Sequence, residues 1–278
     1  MPELPEVEHV VRALRAVVGR TIIASAIRLP KLIAPQSVST FNRKIRNCSI
    51  SAVSRRGKFI LIELQKPDRQ GGCILAVHLR MTGKFLYLNA DDELPKHSHA
   101  IFYLENDRRL VFRDQRQFGV MKLISPAELS RTKGISELAP EPFGDEFNFD
   151  YFKSVLKRSR RSLKTLLLDQ TKVLGLGNIY AAEALFRARI NPFKTASELS
   201  SQRVARLYEA IREVLQFAID NIHGSVSLEE GFTYGEAFER FWQVYEREGE
   251  PCIKCGAKIR RVTHGGRSTY WCPKCQRR

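Results

Sequence analysis

Residues 251–276 read PCIKCGAKIRRVTHGGRSTYWCPKCQ, and the four cysteines in that stretch decide how the end of the chain folds. Their spacing is Cys252-x2-Cys255-x16-Cys272-x2-Cys275. Two close pairs at this separation suit two thiolate knuckles closing a tetrahedral Zn2+ site. Two disulfides are the competing reading, and a reducing compartment disfavours them. A tail this short holds too little apolar core to fold without a staple, so the ion is structural. Four sulfur ligands also leave no open position for a catalytic water. The other two cysteines, Cys48 and Cys73, sit in apolar, strand-like stretches and read as small core hydrophobes.

Upstream of this ribbon the pattern is helical. Helices are expected at 148–159, 162–169, 178–189 and 200–221. In the last of these, Val204, Leu207, Tyr208, Ile211, Val214, Leu215 and Ala218 form a core-facing stripe. Residues 223–250 show no clear period and read as a loop. Residues 133–147 (KGISELAPEPFGDEF) are rich in Pro, Gly and acids and read as a linker. Before it the signal changes to short strands, at 21–29, 45–55, 58–65, 73–79, 84–88, 99–105, 109–113 and 119–124, with a hairpin turn at Asn106-Asp107. A helix at 5–18 precedes them, with Val7, Val10, Val11, Leu14 and Val17 on its apolar stripe. The expected fold class is therefore α+β, with a β-sandwich domain at 1–132, a linker at 133–147, a helical domain at 148–250 and a zinc ribbon at 251–278.

The chain has 278 residues and carries 46 Lys+Arg against 30 Asp+Glu, a net charge of +16. Such an excess attracts polyanions, and duplex DNA is the densest common one. Lys153, Lys157, Arg158, Arg160, Arg161 and Lys164 cluster in the helical half, and further basic residues follow Lys254. No apolar run approaches the roughly 20 residues of a membrane span. The opening MPELPEVEHVV, with two prolines and three glutamates, is unlike a secretory signal, so a cytoplasmic protein is expected.

Gly175-Leu176-Gly177-Asn178 joins two expected helices. Its glycines permit close backbone approach, Asn178 can cap the next helix, and the free N–H groups of a helix start can take a phosphate. A plain interhelical turn fits the same four residues. Further blocks are Met1-Pro2-Glu3-Leu4-Pro5-Glu6-Val7-Glu8, RRGKF at 55–59, HLRMTGKF at 78–85, RDQRQFG at 113–119, GLGNIYAAEALF at 175–186 and GRSTYWCPKCQ at 266–276. In this order, from residue 2 to residue 276, they resemble the formamidopyrimidine-DNA glycosylases, bacterial enzymes that excise oxidised purines. That family's build is a β-sandwich followed by a helix–two-turns–helix domain and a zinc ribbon, which matches the layout above.

The resemblance implies a bifunctional glycosylase and abasic-site lyase, acting as a monomer on duplex DNA that holds an oxidised base or an abasic site. Removal of Met1 would leave Pro2 with a secondary amine able to attack the sugar C1′ and form an iminium ion. An α-amino group titrates near 8, so much of it is unprotonated at neutral pH, unlike a lysine near 10.4. The iminium then serves as the electron sink for β- and δ-elimination. Glu3 resembles the family's acid, which protonates the sugar ring oxygen. Glu6 matches a second family carboxylate that supports the helix start, while Glu8 reads as a solvated face residue. Lys58 resembles the lysine that holds the phosphate beside the lesion. Met81, Arg116 and Phe118 match three side chains pushed into the duplex, Arg116 toward the orphaned cytosine and the other two as wedges. Their polar neighbours Arg80, Thr82, Gln115 and Gln117 imply exposed turns. His78, Lys164, Asn178 and Arg267 match phosphate contacts, Arg267 at the tip of the zinc hairpin.

The sequence departs from the family pattern in two places. His223-Gly224-Ser225-Val226-Ser227-Leu228 replaces a Gly-Gly-Thr-rich start, in the region where relatives close a loop over the flipped base. Gln115 and Gln117 stand beside Arg116 where relatives often carry proline and arginine, which bears on opposite-base discrimination. Two other readings compete. One is an endonuclease VIII-like enzyme for oxidised pyrimidines, whose usual opening has Gly in place of Leu4. The other is a non-catalytic binder of damaged DNA, against which intact Pro2, Glu3 and Lys58 argue.

Overall fold

The computed structural model describes residues 2–68, 71–221 and 241–277. These divide into two compact units: Pro2 with Glu6–Ser136, and Glu3–Pro5 with residues 137–221 and 241–277.

The first unit is built on eight strands: β1 (Thr21–Ile27), β2 (Cys48–Arg56), β3 (Phe59–Gln65), β4 (Gly72–His78), β5 (Gly83–Asn89), β6 (Ser98–Leu104), β7 (Arg108–Asp114) and β8 (Val120–Ile124). Each expected strand is present. They form one antiparallel sheet in the order β5-β7-β6-β1-β2-β3-β4-β8. The β1–β2 step is held by only two residue pairs, Thr21 with Ser49 and Ile22 with Cys48. That narrow seam lets the two four-stranded halves fold face to face. Register shifts at Ile22/Ala24, Ile50/Ala52 and Ser98/Ala100 add the local bends. Phe85, Phe102 and Phe112 from one half and Ile60, Ile62, Leu75 and Val77 from the other bury into a single core, which makes the sheet a sandwich.

Helix α1 (Leu4–Leu14) closes one side of that core with Val7, Val10, Val11 and Leu14, each at most 2% exposed. Burial of such a side chain is worth about 1.5–3 kcal/mol, so this stripe alone fixes the helix. The helix is shorter than expected, since a 3-10 turn at Arg15–Val17 takes over. A second helix, α2 (Val38–Ile45), was not foreseen, and the residues from Ile45 to Asn47 do not belong to β2. Eight residues with only Phe41 and Ile45 buried show too little period to be recognised, and the local signal is the Ser37 cap, whose Oγ accepts from Thr40 N at 3.2 Å.

Glu8 is not the solvated face residue the sequence suggests. Its carboxylate accepts from Arg55 Nε at 2.8 Å and Arg12 Nε at 3.1 Å, tying α1 to β2. Partial burial pushes the Glu8 carboxyl upward, but the two guanidiniums prevail and hold it below the usual glutamate range. A depressed folded-state value adds stability above the unfolded value near 4.3, lost as pH falls through the folded one. Glu8→Gln is therefore expected to cost about 1.5 kcal/mol in denaturant unfolding at pH 7. The difference from the parent should shrink steadily below pH 4, and a pH-independent difference would remove the ion pair from the explanation.

The second unit holds α3 (Phe149–Lys157), α4 (Leu163–Leu167), α5 (Asn178–Arg187) and α6 (Ser201–Asn221), then the hairpin β9 (Arg260–His264) and β10 (Arg267–Trp271). The Pro/Gly-rich stretch before α3 has anchors here: Ala139 N donates to Gln170 O at 2.9 Å, and Phe147 is fully buried and stacks on Tyr208 at 5.5 Å. Val204, Leu207, Ile211, Leu215 and Ala218 of α6 are buried, as their spacing predicts. The departure at 223–228 lies outside the described residues.

Candidate functional site

The start of α5 is the chemical centre of the second unit. Glu3, 2% exposed, places its carboxylate there and accepts from three backbone N–H groups: Gly177 at 2.6 Å, Ile179 at 2.9 Å and Tyr180 at 3.2 Å. The helix dipole favours a negative group at this end. Close approach requires glycine: a Cβ on Gly177 would lie 2.8 Å from Glu3 Cγ and closer still to the carboxylate. Gly175, at φ +88°, turns its carbonyl to accept from Leu4 N at 3.1 Å, and a side chain there would collide with Leu4. The glycines serve close approach, as read, but the partner is Glu3. These N–H groups are therefore not an open phosphate cradle.

Asn178 is likewise not the cap. Gly177 occupies that position, and Asn178 Nδ2 instead donates to Ser268 O of the zinc hairpin at 3.0 Å. Lys164 is wholly buried, and its Nζ donates to Asn178 O at 2.8 Å. Burial pulls the Lys164 ammonium down to about 8, against the opposing pull of Glu3. It is thus an internal cation bracing α4 against α5. Arg267, by contrast, is exposed, directly after the Gly265-Gly266 turn of the hairpin.

The four cysteines converge. Their sulfurs lie within 4.8 Å of one another, with Cys255–Cys272 at 3.4 Å and Cys252–Cys275 at 3.9 Å, and none forms a disulfide. Zn–S bonds of about 2.3 Å in a tetrahedron require sulfurs about 3.8 Å apart, so the set fits one zinc ion. The ribbon is fastened to the helices by Ser162 Oγ with His264 Nε2 at 2.7 Å and by Phe193, which packs edge-on against both His264 and Trp271. Gln276 Nε2 donates to Ile190 O and Asn191 Nδ2 to Gln276 O. Among the described residues it is the one group of metal-ligating side chains that closes in this way.

In the first unit Pro2, Glu6 and Lys58 are all buried. Lys58 follows Gly57 in the β2–β3 turn, one residue ahead of β3. His78 packs edge-on against Phe59 at 4.8 Å, and its Nδ1 accepts from Arg80 N at 3.0 Å. Burial, with the nearby Arg80 and Lys58 charges, pulls the imidazole down to about 3, so His78 is neutral and its Nε2–H is the group it can offer. Met81 and Phe118 are 39% and 52% exposed, in keeping with the exposed turns their neighbours imply, and Arg116 lies over the Phe118 ring at 4.9 Å.

Sequence reading passed over Glu183. Its buried carboxylate accepts from the N–H groups of Gln243, Val244 and Tyr245, at 2.9, 3.0 and 2.9 Å. Burial raises its carboxyl above the usual range, although those three donors oppose the shift. It anchors the segment entering the ribbon to α5. In sequence it stands in a run of alanines on a buried helix face, with nothing local to mark its partners.

Solved structures with the same two-part build superpose along the whole chain. The Lactococcus lactis Fpg in complex with DNA containing an abasic site aligns with TM-score 0.90 and 34% identity, over 99% of this chain and 100% of that one. A mutant of the same enzyme with DNA containing Fapy-dG aligns with TM-score 0.91 and 33% identity over all of both chains. The molecule is a DNA glycosylase, an enzyme of DNA repair, with a structural zinc site.

Family models agree in three consecutive parts: the formamidopyrimidine-DNA glycosylase N-terminal domain at residues 1–121, its H2TH domain at 138–230, and the zinc finger found in FPG and IleRS at 249–278. The formamidopyrimidine-DNA glycosylase of Pelotomaculum thermopropionicum is 46% identical over all of this chain and 99% of its own length, and that of Bacillus subtilis is 41% identical over 99% of each. The chain belongs to the formamidopyrimidine-DNA glycosylase family.

Proposed function

We propose that the chain excises oxidised purines, 8-oxoguanine and formamidopyrimidines, from duplex DNA and then cuts the strand at the abasic site. The Pro2 amine, freed of Met1, attacks C1′; the C1′–base bond breaks and the base departs with a proton. Glu3 takes up the proton that the amine loses and passes it to the ring oxygen as the sugar opens, and the C1′–N bond becomes an iminium. Loss of a proton from C2′ then expels the 3′ phosphate, and a second elimination expels the 5′ phosphate. The observation that carries this reading is the clasp on Glu3: three N–H groups hold the residue next to Pro2 in one position. General acid–base help from a fixed carboxyl is typically worth about 10²–10⁴ in rate.

The other assignments follow the same reading. Lys58 and Glu6 support the reaction at Pro2. His78 and Arg267 take phosphates, His78 through its neutral N–H and Arg267 through its exposed guanidinium. Lys164 and Asn178 act from inside, by holding the start of α5 and the hairpin that carries Arg267. Met81, Arg116 and Phe118 fill the space left by the flipped base. Divisions at 132/133, 147/148 and 250/251 separate sandwich, linker, helical domain and ribbon. Among the described residues no helix is long and apolar enough to cross a membrane. The basic charge and repair chemistry fit a cytoplasmic enzyme working on the nucleoid.

Borohydride trapping tests the reading. Processed protein is expected to form a covalent adduct on a duplex with 8-oxoguanine opposite cytosine and on an abasic duplex. A solved structure of the Lactococcus lactis enzyme holds DNA with an oxidised pyrimidine, so such a lesion is the natural third substrate. Trapping on the abasic duplex alone would keep the lyase and remove the purine assignment. A clear preference for the pyrimidine would favour the endonuclease VIII-like reading, and no adduct on any duplex would leave only a damage binder.

A further inference from the structure

Asp114 sits at the end of β7 directly opposite Gly83 of β5, so strand pairing brings its side chain beside Thr82. It is 1% exposed. Its Oδ1 accepts from the Thr82 hydroxyl, and its Oδ2 accepts from Gly119 N at 2.7 Å. Thr82 Oγ1 in turn accepts from Arg116 N at 3.0 Å. The Asp114 carbonyl accepts from Gln117 N at 3.2 Å and, on its other side, lies 3.0 Å from His99 Nε2. One carboxylate thus joins two turns that are 32 residues apart in the chain.

These turns carry Met81, Arg116 and Phe118, all three exposed. Thr82 directly follows Met81, Gly119 directly follows Phe118, and Arg116 lies between Asp114 and Gly119. Each apolar tip is also preceded by a non-glycine residue in the left-handed region, Arg80 at φ 57° before Met81 and Gln117 at φ 57° before Phe118. Such conformations persist only where the surroundings over-determine them. The Asp114–Thr82 pair is the group that does so for both turns at once.

We propose that Asp114, acting through Thr82, is the positioning residue that presents Met81, Arg116 and Phe118 to the duplex as one rigid unit. The inference rests on the reading of those three as the wedge. Holding them in place beforehand removes the ordering cost from the step in which the lesion leaves the stack. Neither residue touches the reacting atoms, so cleavage of a substrate that needs no unstacking is independent of the clamp.

The test compares Thr82→Val with Thr82→Ser. Valine keeps the shape and removes both the donor to Asp114 and the acceptor for Arg116 N, whereas serine keeps the hydroxyl. Three quantities are read on zinc-loaded, processed protein: excision of 8-oxoguanine from a duplex, fluorescence of a 2-aminopurine beside the lesion as it unstacks, and cleavage of an abasic site in single-stranded DNA. The expected result for Thr82→Val is a loss of about tenfold or more in duplex excision and in the unstacking rate, the scale of a lost charge-assisted hydrogen bond. Single-strand cleavage should stay within about twofold of the parent, and Thr82→Ser should restore the other two quantities. Unchanged duplex excision and unstacking in Thr82→Val would overturn the inference. So would an equal loss of all three quantities, which marks a merely structural role. Parent protein that cleaves abasic DNA but never unstacks a duplex would instead sink the wedge reading, and the inference with it.

Discussion

Protein that keeps any residue ahead of Pro2, by retained Met1 or an N-terminal tag, is expected to yield no borohydride-trapped adduct. Its strand cleavage should fall by a factor on the order of 10³ or more, the scale seen when a covalent nucleophile is removed. The reason is electronic. An acyl group on the Pro2 nitrogen turns a basic amine into an amide, whose lone pair is delocalised into the carbonyl and cannot attack C1′. Affinity for abasic DNA should change far less, because His78 and Arg267, the groups proposed to take phosphates, are remote in sequence from the terminus. The comparison also discriminates between amines. Lys164, pulled down to about 8, is another internal amine near the right basicity, yet it is fully buried and committed to Asn178 O. An extended protein that still forms the adduct at the rate of the processed form would transfer the nucleophile to a lysine. Mass spectrometry of the trapped peptide would identify which one.

Removal of zinc is the second large effect expected. Structural zinc in such ribbons contributes about 10–16 kcal/mol of binding free energy that is also folding free energy. Within the ribbon's core only Ile259, Cys252 and Cys272 are buried hydrophobics, packed against Ala182, Phe186 and Val244. That is too little apolar area to hold 251–277 in place alone. Chelation, or Cys272→Ser at a fully buried ligand, should therefore release the hairpin, and with it the Asn178–Ser268 bond and the placement of Arg267. Trp271, edge-on to Phe193 at 4.9 Å, reports the change through its fluorescence. DNA affinity should fall by a factor on the order of 10², and the salt dependence of binding should flatten as phosphate contacts are lost. Metal-free protein that keeps both the Trp271 signal and the affinity would mean that the ribbon folds without its ion. In that case Arg267 would need another support.

The features legible in the sequence are those with a local signature. The cysteine spacing marks the zinc site because the ligands pair within one turn of chain. The eight strands and five helices of the expected layout follow from alternation and from the 3.6-residue period, each measured over a few neighbours. Met81 and Phe118 could be placed on exposed turns because the residues beside them are polar. The helix α2 was missed because eight residues capped by Ser37 carry too little period to read.

Where each buried polar group finds its partner was settled by tertiary structure alone. Glu3 meets Gly177 across 174 positions, Asp114 meets Thr82 across 32, and Glu183 meets Val244 across 61. In two of these three the carboxylate accepts from backbone N–H groups, and in the third from one together with a hydroxyl. Every residue except proline offers such an N–H, so the partner leaves no mark in the residue types. The same holds for Lys164, whose burial depends on how α4 and α5 pack and not on its basic neighbours. Spacing can announce a metal site or a helix face, but the direction in which a buried charge points is chosen only when distant segments meet.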